Sequence, residues 1–212
     1  MAKEKLKLTA EQYASLELVT PRFTGMYLHL TTKGMYQGKE TNYNFTMAFP
    51  KDADLKELRA RLTRAKILWW GKDQAKWPKN YATPIEDGDN AMRGDGTPNE
   101  QYAGFWIVKA TSNDPIVCVD SQGNDILESS KIYAGAIYRA HIQASVYELS
   151  KTNIGVKFYA KGLQKVAEGT KLGNKGNSRK AFAAVADEGD DGVNDESNYE
   201  GEESESDSAS MW

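Results

Sequence analysis

Thr41-Asn42-Tyr43-Asn44-Phe45-Thr46-Met47-Ala48-Phe49-Pro50 carries an apolar or aromatic side chain at every second position from Tyr43 to Phe49, with Asn42, Asn44, Thr46 and Ala48 as the alternates. Successive side chains leave a strand on opposite sides, so this period of two marks a strand with one buried face. Pro50, which lacks an amide hydrogen, ends it. Upstream, Arg22–Thr31 is rich in β-formers (Phe23, Tyr27, Leu28, Leu30) and runs into Thr32-Lys33-Gly34, a strand and then a turn. Residues 1–20 lack a sustained period and read as a leading arm with a short strand. Downstream, Asp52 is placed to cap a helix carrying Leu55, Leu58, Leu62, Ala65 and Trp69 at steps of three and four, bracketed by Gly71 and Pro78. Trp69 continues that stripe, so Trp69 and Trp70 are expected to pack.

Residues 71–101 hold Pro78, Pro84, Pro98, Gly88, Gly94 and Gly96 and read as a long loop insertion. Strands resume at Gly104–Ala110 and Ile116–Asp120, with a turn at Ser121–Asn124. Tyr133–Leu149 is the longest extended segment. It puts Ala134, Ala136, Tyr138, Ala140, Ile142, Ala144 and Val146 on one face and Tyr133, Ile137, Arg139, His141, Gln143, Ser145 and Tyr147 on the other. After a turn at Ser150–Asn153, Ile154, Val156 and Phe158 face inward while Lys157, Tyr159 and Lys161 face out. Gly162–Val166 reads as a short closing element, and Gly169–Lys180 as a Gly- and Lys-rich linker.

The two paired strands thus share a basic, aromatic face. Such a face suits a sequence-tolerant binder of single-stranded nucleic acid, because bases stack on rings for about 1–3 kcal/mol each while Lys and Arg follow the phosphates. The candidates are Arg139, Tyr147, Lys157, Tyr159 and Lys161, with Lys33, Tyr36 and Lys39 around the first turn. The same pattern also fits an ordinary solvated sheet face. In the long loop, Trp77, Lys79 and Tyr81 make either a mobile stacking platform or a pin that holds the loop to the body.

Charge divides the chain. Eleven of its 30 acidic residues lie in the last 26, Asp187–Trp212, beside no Lys or Arg, which leaves 27 basic against 19 acidic residues in the body. A tail of Asp, Glu, Ser, Gly and Asn cannot bury enough apolar surface to offset its backbone entropy and is expected to be disordered. It ends on Met211 and Trp212, and a Trp on a flexible acidic tether reads as a docking group for a partner protein. About 185 residues remain outside the tail, enough for one domain.

Several chemistries find little support. No signal peptide and no apolar run near the roughly 18 residues of a membrane span are present, so a soluble, cytosolic protein is expected. The lone Cys118 sits in an apolar run and reads as a small core residue. Glu86, Asp87, Asp89 and Asp95 lack metal-loop spacing and match Gly-Asp-Gly turn chemistry. His29 and His141 have no ligand partner at zinc spacing and are read as structural. Gly169, Gly173, Lys175, Gly176 and Ser178 lack the spacing and the strand-to-helix setting of a phosphate loop. No cofactor is expected.

Gly34-Met35-Tyr36-Gln37-Gly38 followed by Thr41–Pro50, then Tyr102-Ala103-Gly104, Tyr133-Ala134-Gly135 and Gly162-Leu163-Gln164-Lys165-Val166, resembles a family of tailed-phage single-stranded DNA-binding proteins over about residues 20–170. That resemblance implies a mainly β OB-fold, a Greek-key β-barrel, over residues 1–168, with one helix and a long loop insertion. A basic linker at 169–186 and a disordered acidic C-terminal tail at 187–212 would follow. It implies a role in phage DNA replication or recombination, and a tail that recruits a polymerase, helicase or nuclease. Two other readings stay open at this point. One is a metal-dependent nuclease using Asp87 and Asp89. The other is a protein adaptor, whose exchanged tails would make a homodimer.

Overall fold

The computed structural model describes residues 8–36 and 38–172. The linker beyond Leu172, the acidic tail and its terminal Met211 and Trp212 lie outside the described residues. The leading arm forms a one-turn helix, α1 (Ala10–Ala14), started by a capping box in which Thr9 and Gln12 bond each other's backbone amides, and then strand β1 (Glu17–Val19). Strands β2 (Phe23–His29) and β5 (Tyr43–Pro50) flank a small ribbon of β3 (Met35–Tyr36) and β4 (Lys39–Glu40). Helix α2 (Lys56–Trp70), β6 (Ile85–Asp87), β7 (Phe105–Ser112), β8 (Cys118–Val119), β9 (Ile137–Glu148) and β10 (Ile154–Ala167) follow.

Strands β2, β5, β7, β10 and β9 pair in that order, and β9 returns to β2 through Phe23 opposite Tyr138 and Thr24 opposite Ile137, closing a five-stranded barrel. Every pairing in this circuit is antiparallel except β7 with β10. This is the Greek-key order of an OB-fold. Phe23 lies at the centre, with its ring centroid 6.2 Å from Phe45, 5.5 Å from Phe49 and 6.3 Å from Tyr138. Phe45, Met47 and Phe49 are fully buried in this core, but Thr46 and Ala48 are buried as well, Ala48 in a second cluster with Met26, Tyr102 and Ile107, so the strand is covered on both faces rather than one. Leu58, Leu62 and Ala65 of α2 are buried in the same core, and helix contacts run to β9, β1 and β10.

Three expectations are corrected. Asp52 does not cap α2: the N-cap is Leu55, held in the core, and the free Lys56 amide donates instead to Asp54 at 2.9 Å. The segment from Gly162 to Val166 is not a separate element, because β10 is continuous over 14 residues with a register shift between Ala160 and Gly162. The unpaired Lys161 bends the strand, letting one strand pair with β7 and then β8. The loop insertion is not structureless, since Ile85–Asp87 pairs with the edge of β7.

Candidate nucleic-acid interface

Alternation along β9 and β10 separates the core residues from an outward row. Cross-strand partners on that outward side are Tyr147 with Gly155, Ser145 with Lys157 and Gln143 with Tyr159. Lys157 sits between two rings, its Nζ 4.1 Å from the Tyr159 centroid and 5.8 Å from that of Tyr147. The Tyr147 ring crosses over Gly155, where an added Cβ would stand 2.5 Å from the phenol oxygen, so glycine is what lets the ring lie down on the sheet. Further along β9, Arg139 is exposed and donates from Nε to the Thr20 carbonyl at 3.3 Å, which aims its guanidinium. His141 lies 3.2 Å from the Glu17 carboxylate on β1.

Register carries this face around the barrel. Tyr159 is opposite Thr111, Thr111 opposite Asn44, and Asn44 opposite His29, so one row of outward side chains crosses β9, β10, β7, β5 and β2. Concavities lie along the row: about 400 Å³ beside Gln143, Tyr159 and Lys161, and about 260 Å³ beside Tyr27, His29, Asn44, Lys109 and Thr111. The sequence signal for Asn44 and Thr46 was present as the polar side of the first strand. Thr111 lies one residue beyond the strand that the sequence delimits at Ala110, while Lys109, within it, and His29 enter the row only through the register of β7 and β2 against β5. In an OB-fold the loops after the first and fourth barrel strands border the ligand face. Here those are residues 30–42, with the β3–β4 ribbon, and the turn at 149–153. Lys33 pairs with Glu40 at 3.4 Å and stands 5.9 Å from the Tyr43 ring, Lys39 is exposed, and Tyr36 is the strand partner of Lys39.

A family model described as Enterobacter phage Enc34, ssDNA-binding protein, matches residues 17–193. The chain belongs to this family. The Enc34 family is one of DNA-binding proteins rather than enzymes. A solved structure of the single-stranded DNA-binding protein from bacteriophage Enc34 in complex with ssDNA is 17% identical with a TM-score of 0.61, over 82% of this chain and 100% of that one. The gp2.5 single-stranded DNA-binding protein of bacteriophage T7 is 13% identical with a TM-score of 0.53, over 77% of this chain and 93% of that one. At these identities the likeness is one of fold. No curated protein sequence matches the chain.

Trp77 and Tyr81 of this Enc34-family chain pack against the end of α2, and Ala82, next to Tyr81, bridges to Gly155 of β10. Their rings sit 6.0 and 5.1 Å from Trp70 at the end of α2, and Lys66 Nζ stands 4.9 Å from the Trp77 centroid and donates to the Tyr81 hydroxyl at 3.2 Å. Trp77 Nε1 donates to the Gly71 carbonyl and Trp70 Nε1 to Glu148, each at 2.9 Å. Glu148 and Tyr147 are consecutive in β9 and so point to opposite sides. Lys79 is exposed. Trp70 and Lys66 enter this cluster from the C-terminal end of α2, beside the stripe that Trp69 continues.

The acidic group of the insertion is a set of turn anchors. Lys51 pairs with Asp87 and, at 2.9 Å, with Asp89. Asp89 also accepts the Gly104 amide at 2.6 Å, and Asp95 accepts the Thr97 hydroxyl and amide at 2.6 and 2.9 Å. The Lys51 hydrogen bond holds the Asp87 carboxyl below its ordinary range, and the Gly104 amide does so for Asp89. Glu86 pairs with Lys109 at 3.2 Å. Cys118 is buried, and burial pushes its thiol up to about 11, which suits packing rather than nucleophilic chemistry. Among the described residues, no helix is long and apolar enough to cross a membrane.

Proposed function

We infer that this protein coats single-stranded DNA with little sequence preference in phage DNA replication or recombination, in the host cytoplasm. The observation that carries the reading is the Tyr147–Lys157–Tyr159 row, a cation between two rings on an outward sheet face. Stacking on rings is indifferent to sequence, and phosphate contacts are too. The proposed contact set is Arg139, Tyr147, Lys157, Tyr159 and Lys161, with Lys109 and Thr111 beside them and Lys33, Tyr36 and Lys39 on the ribbon. Lys79 extends the basic path past the turn at 149–153, while Trp77 and Tyr81 hold its loop.

The acidic tail competes with DNA for the basic body and, when displaced, offers Met211 and Trp212 to a polymerase, helicase or nuclease. What supports this is composition: eleven carboxylates at one end and 27 basic against 19 acidic residues in the rest. A homodimer by tail exchange follows from the same complementarity.

The test is titration of a fluorescent oligo-dT with an equal-length duplex as competitor, across a salt series, on the full chain and on a chain ending at Ala186. Tight, salt-sensitive binding that the duplex does not displace is expected, and it tightens on truncation most at low salt, where screening is weakest. Absence of oligonucleotide binding at every salt concentration would favour the adaptor.

A further inference from the structure

The end of the face near Arg139 differs in chemistry from its middle. Edge strands β1 and β8 flank the β9–β10 pair there, and Val19 and Val117 stay 51% and 57% exposed beside a concavity of about 390 Å³ that also holds Arg139, His141 and Lys161. Aliphatic walls beside cationic groups fit a ligand with an apolar part and an anionic part. The site is continuous with the proposed DNA path, because Lys161 also lines the next concavity along the row.

We propose that this trough seats one sugar-phosphate unit of the bound strand and that Val19 and Val117 make it selective for deoxyribose over ribose. The inference rests on the single-strand-binding reading and deepens it by naming the sugar. The volume suits one nucleotide unit rather than a longer segment. Nε of Arg139 is held by the Thr20 carbonyl, which leaves its terminal guanidinium nitrogens for a phosphate, and the exposed Lys161 supplies a second cation to the same phosphate. His141 is held by the Glu17 carboxylate at 3.2 Å. The neutral amide in the trough, Gln164, directs its nitrogen to the Asp120 and Ser121 carbonyls at 3.2 and 3.3 Å. A C2′ methylene loses nothing against valine methyl groups, whereas a 2′-hydroxyl laid against them gives up part of its hydration to groups that offer no hydrogen bond.

The test compares oligo-dU with oligo-rU of the same length, which differ only in the 2′-hydroxyl, on the full chain and on the Val19→Thr/Val117→Thr variant. Threonine keeps the branched shape and the strand preference while adding a hydroxyl to meet the ribose. The native chain is expected to prefer oligo-dU by about tenfold, and the variant to bring the two within about threefold by gaining affinity for oligo-rU. Arg139→Ala is expected to weaken both strands alike. Equal native affinities, or an unchanged ratio in the threonine variant, would overturn the sugar assignment with strand binding intact. A ratio that collapses in Arg139→Ala would overturn it by moving selection to the arginine. Failure to bind either strand would overturn the single-strand reading itself.

Discussion

Two clusters in this molecule are built from the same parts and are wired differently. On the sheet, Lys157 lies between Tyr147 and Tyr159; at the end of α2, Lys66 lies against Trp77 and Tyr81 beside Trp70. In the second cluster the polar atoms are engaged internally: Lys66 with the Tyr81 hydroxyl, Trp77 with Gly71, and Trp70 with Glu148. Those hydrogen bonds attach the start of a long insertion to the helix. In the first, the strand ladder holds the backbone, and rings and ammonium group are left facing outward. Residue type alone does not separate rings left facing outward from rings tied into a hydrogen-bonded cluster; the hydrogen-bond partners do.

The comparison is broken or sharpened by substitution. Combining Lys157→Ala with Tyr159→Ala should weaken oligo-dT binding by about 10- to 100-fold, from one lost stacking surface and one lost phosphate contact, while the melting temperature barely moves. Trp77→Ala should do the reverse, costing roughly 2 kcal/mol of stability because a half-buried ring is removed, with oligo-dT affinity within about twofold of native. Calorimetry and titration on the same samples check both, and equal loss of DNA affinity in the two would erase the distinction.

Salt sharpens it further. Lys161→Ala should reduce the slope of log affinity against log salt by about 0.7, one phosphate's worth for a single strand, whereas Lys66→Ala should leave the slope unchanged.

The smallest effect is an acid one, at the other end of the insertion. Asp87 and Asp89 are held below their ordinary range, so the folded state binds their protons more weakly than the unfolded chain does. Their contribution is therefore present above the unfolded carboxylate range and is lost as pH falls through the lower folded values. Lys51 is raised by the same contacts, so its share is present below the ordinary lysine range and is lost only as pH rises through the raised value. Below about pH 4 thermal stability should drop, and the drop should shrink in Lys51→Met, as a melting series against pH would reveal.

Much of the barrel was legible from local pattern. The period of two in residues 43–49 and along Tyr138–Val146 identifies strands and their buried faces, because a strand offers its neighbours only two sides. The step of three and four in Leu55–Trp69 identifies the helix by the same logic. Charge segregation between body and tail is likewise a property of composition.

Tertiary structure decided what pairing decides. Closure through Phe23 and Tyr138, and the row from Gln143 to His29, join residues over a hundred positions apart, which no local period encodes. The continuity of β10 past Gly162 came from a bulge whose bend brings β8 alongside, against a glycine that locally signals a stop. The packing of Trp77 and Tyr81 turned on Trp70, which ends a helix and is itself bonded to Glu148 in a distant strand. The sequence by itself determined which segments form strands and helix and which side of each faces the barrel core, since alternation and helical spacing are local. Which outward residues share a groove was decided only by strand register, a long-range property of the closed barrel.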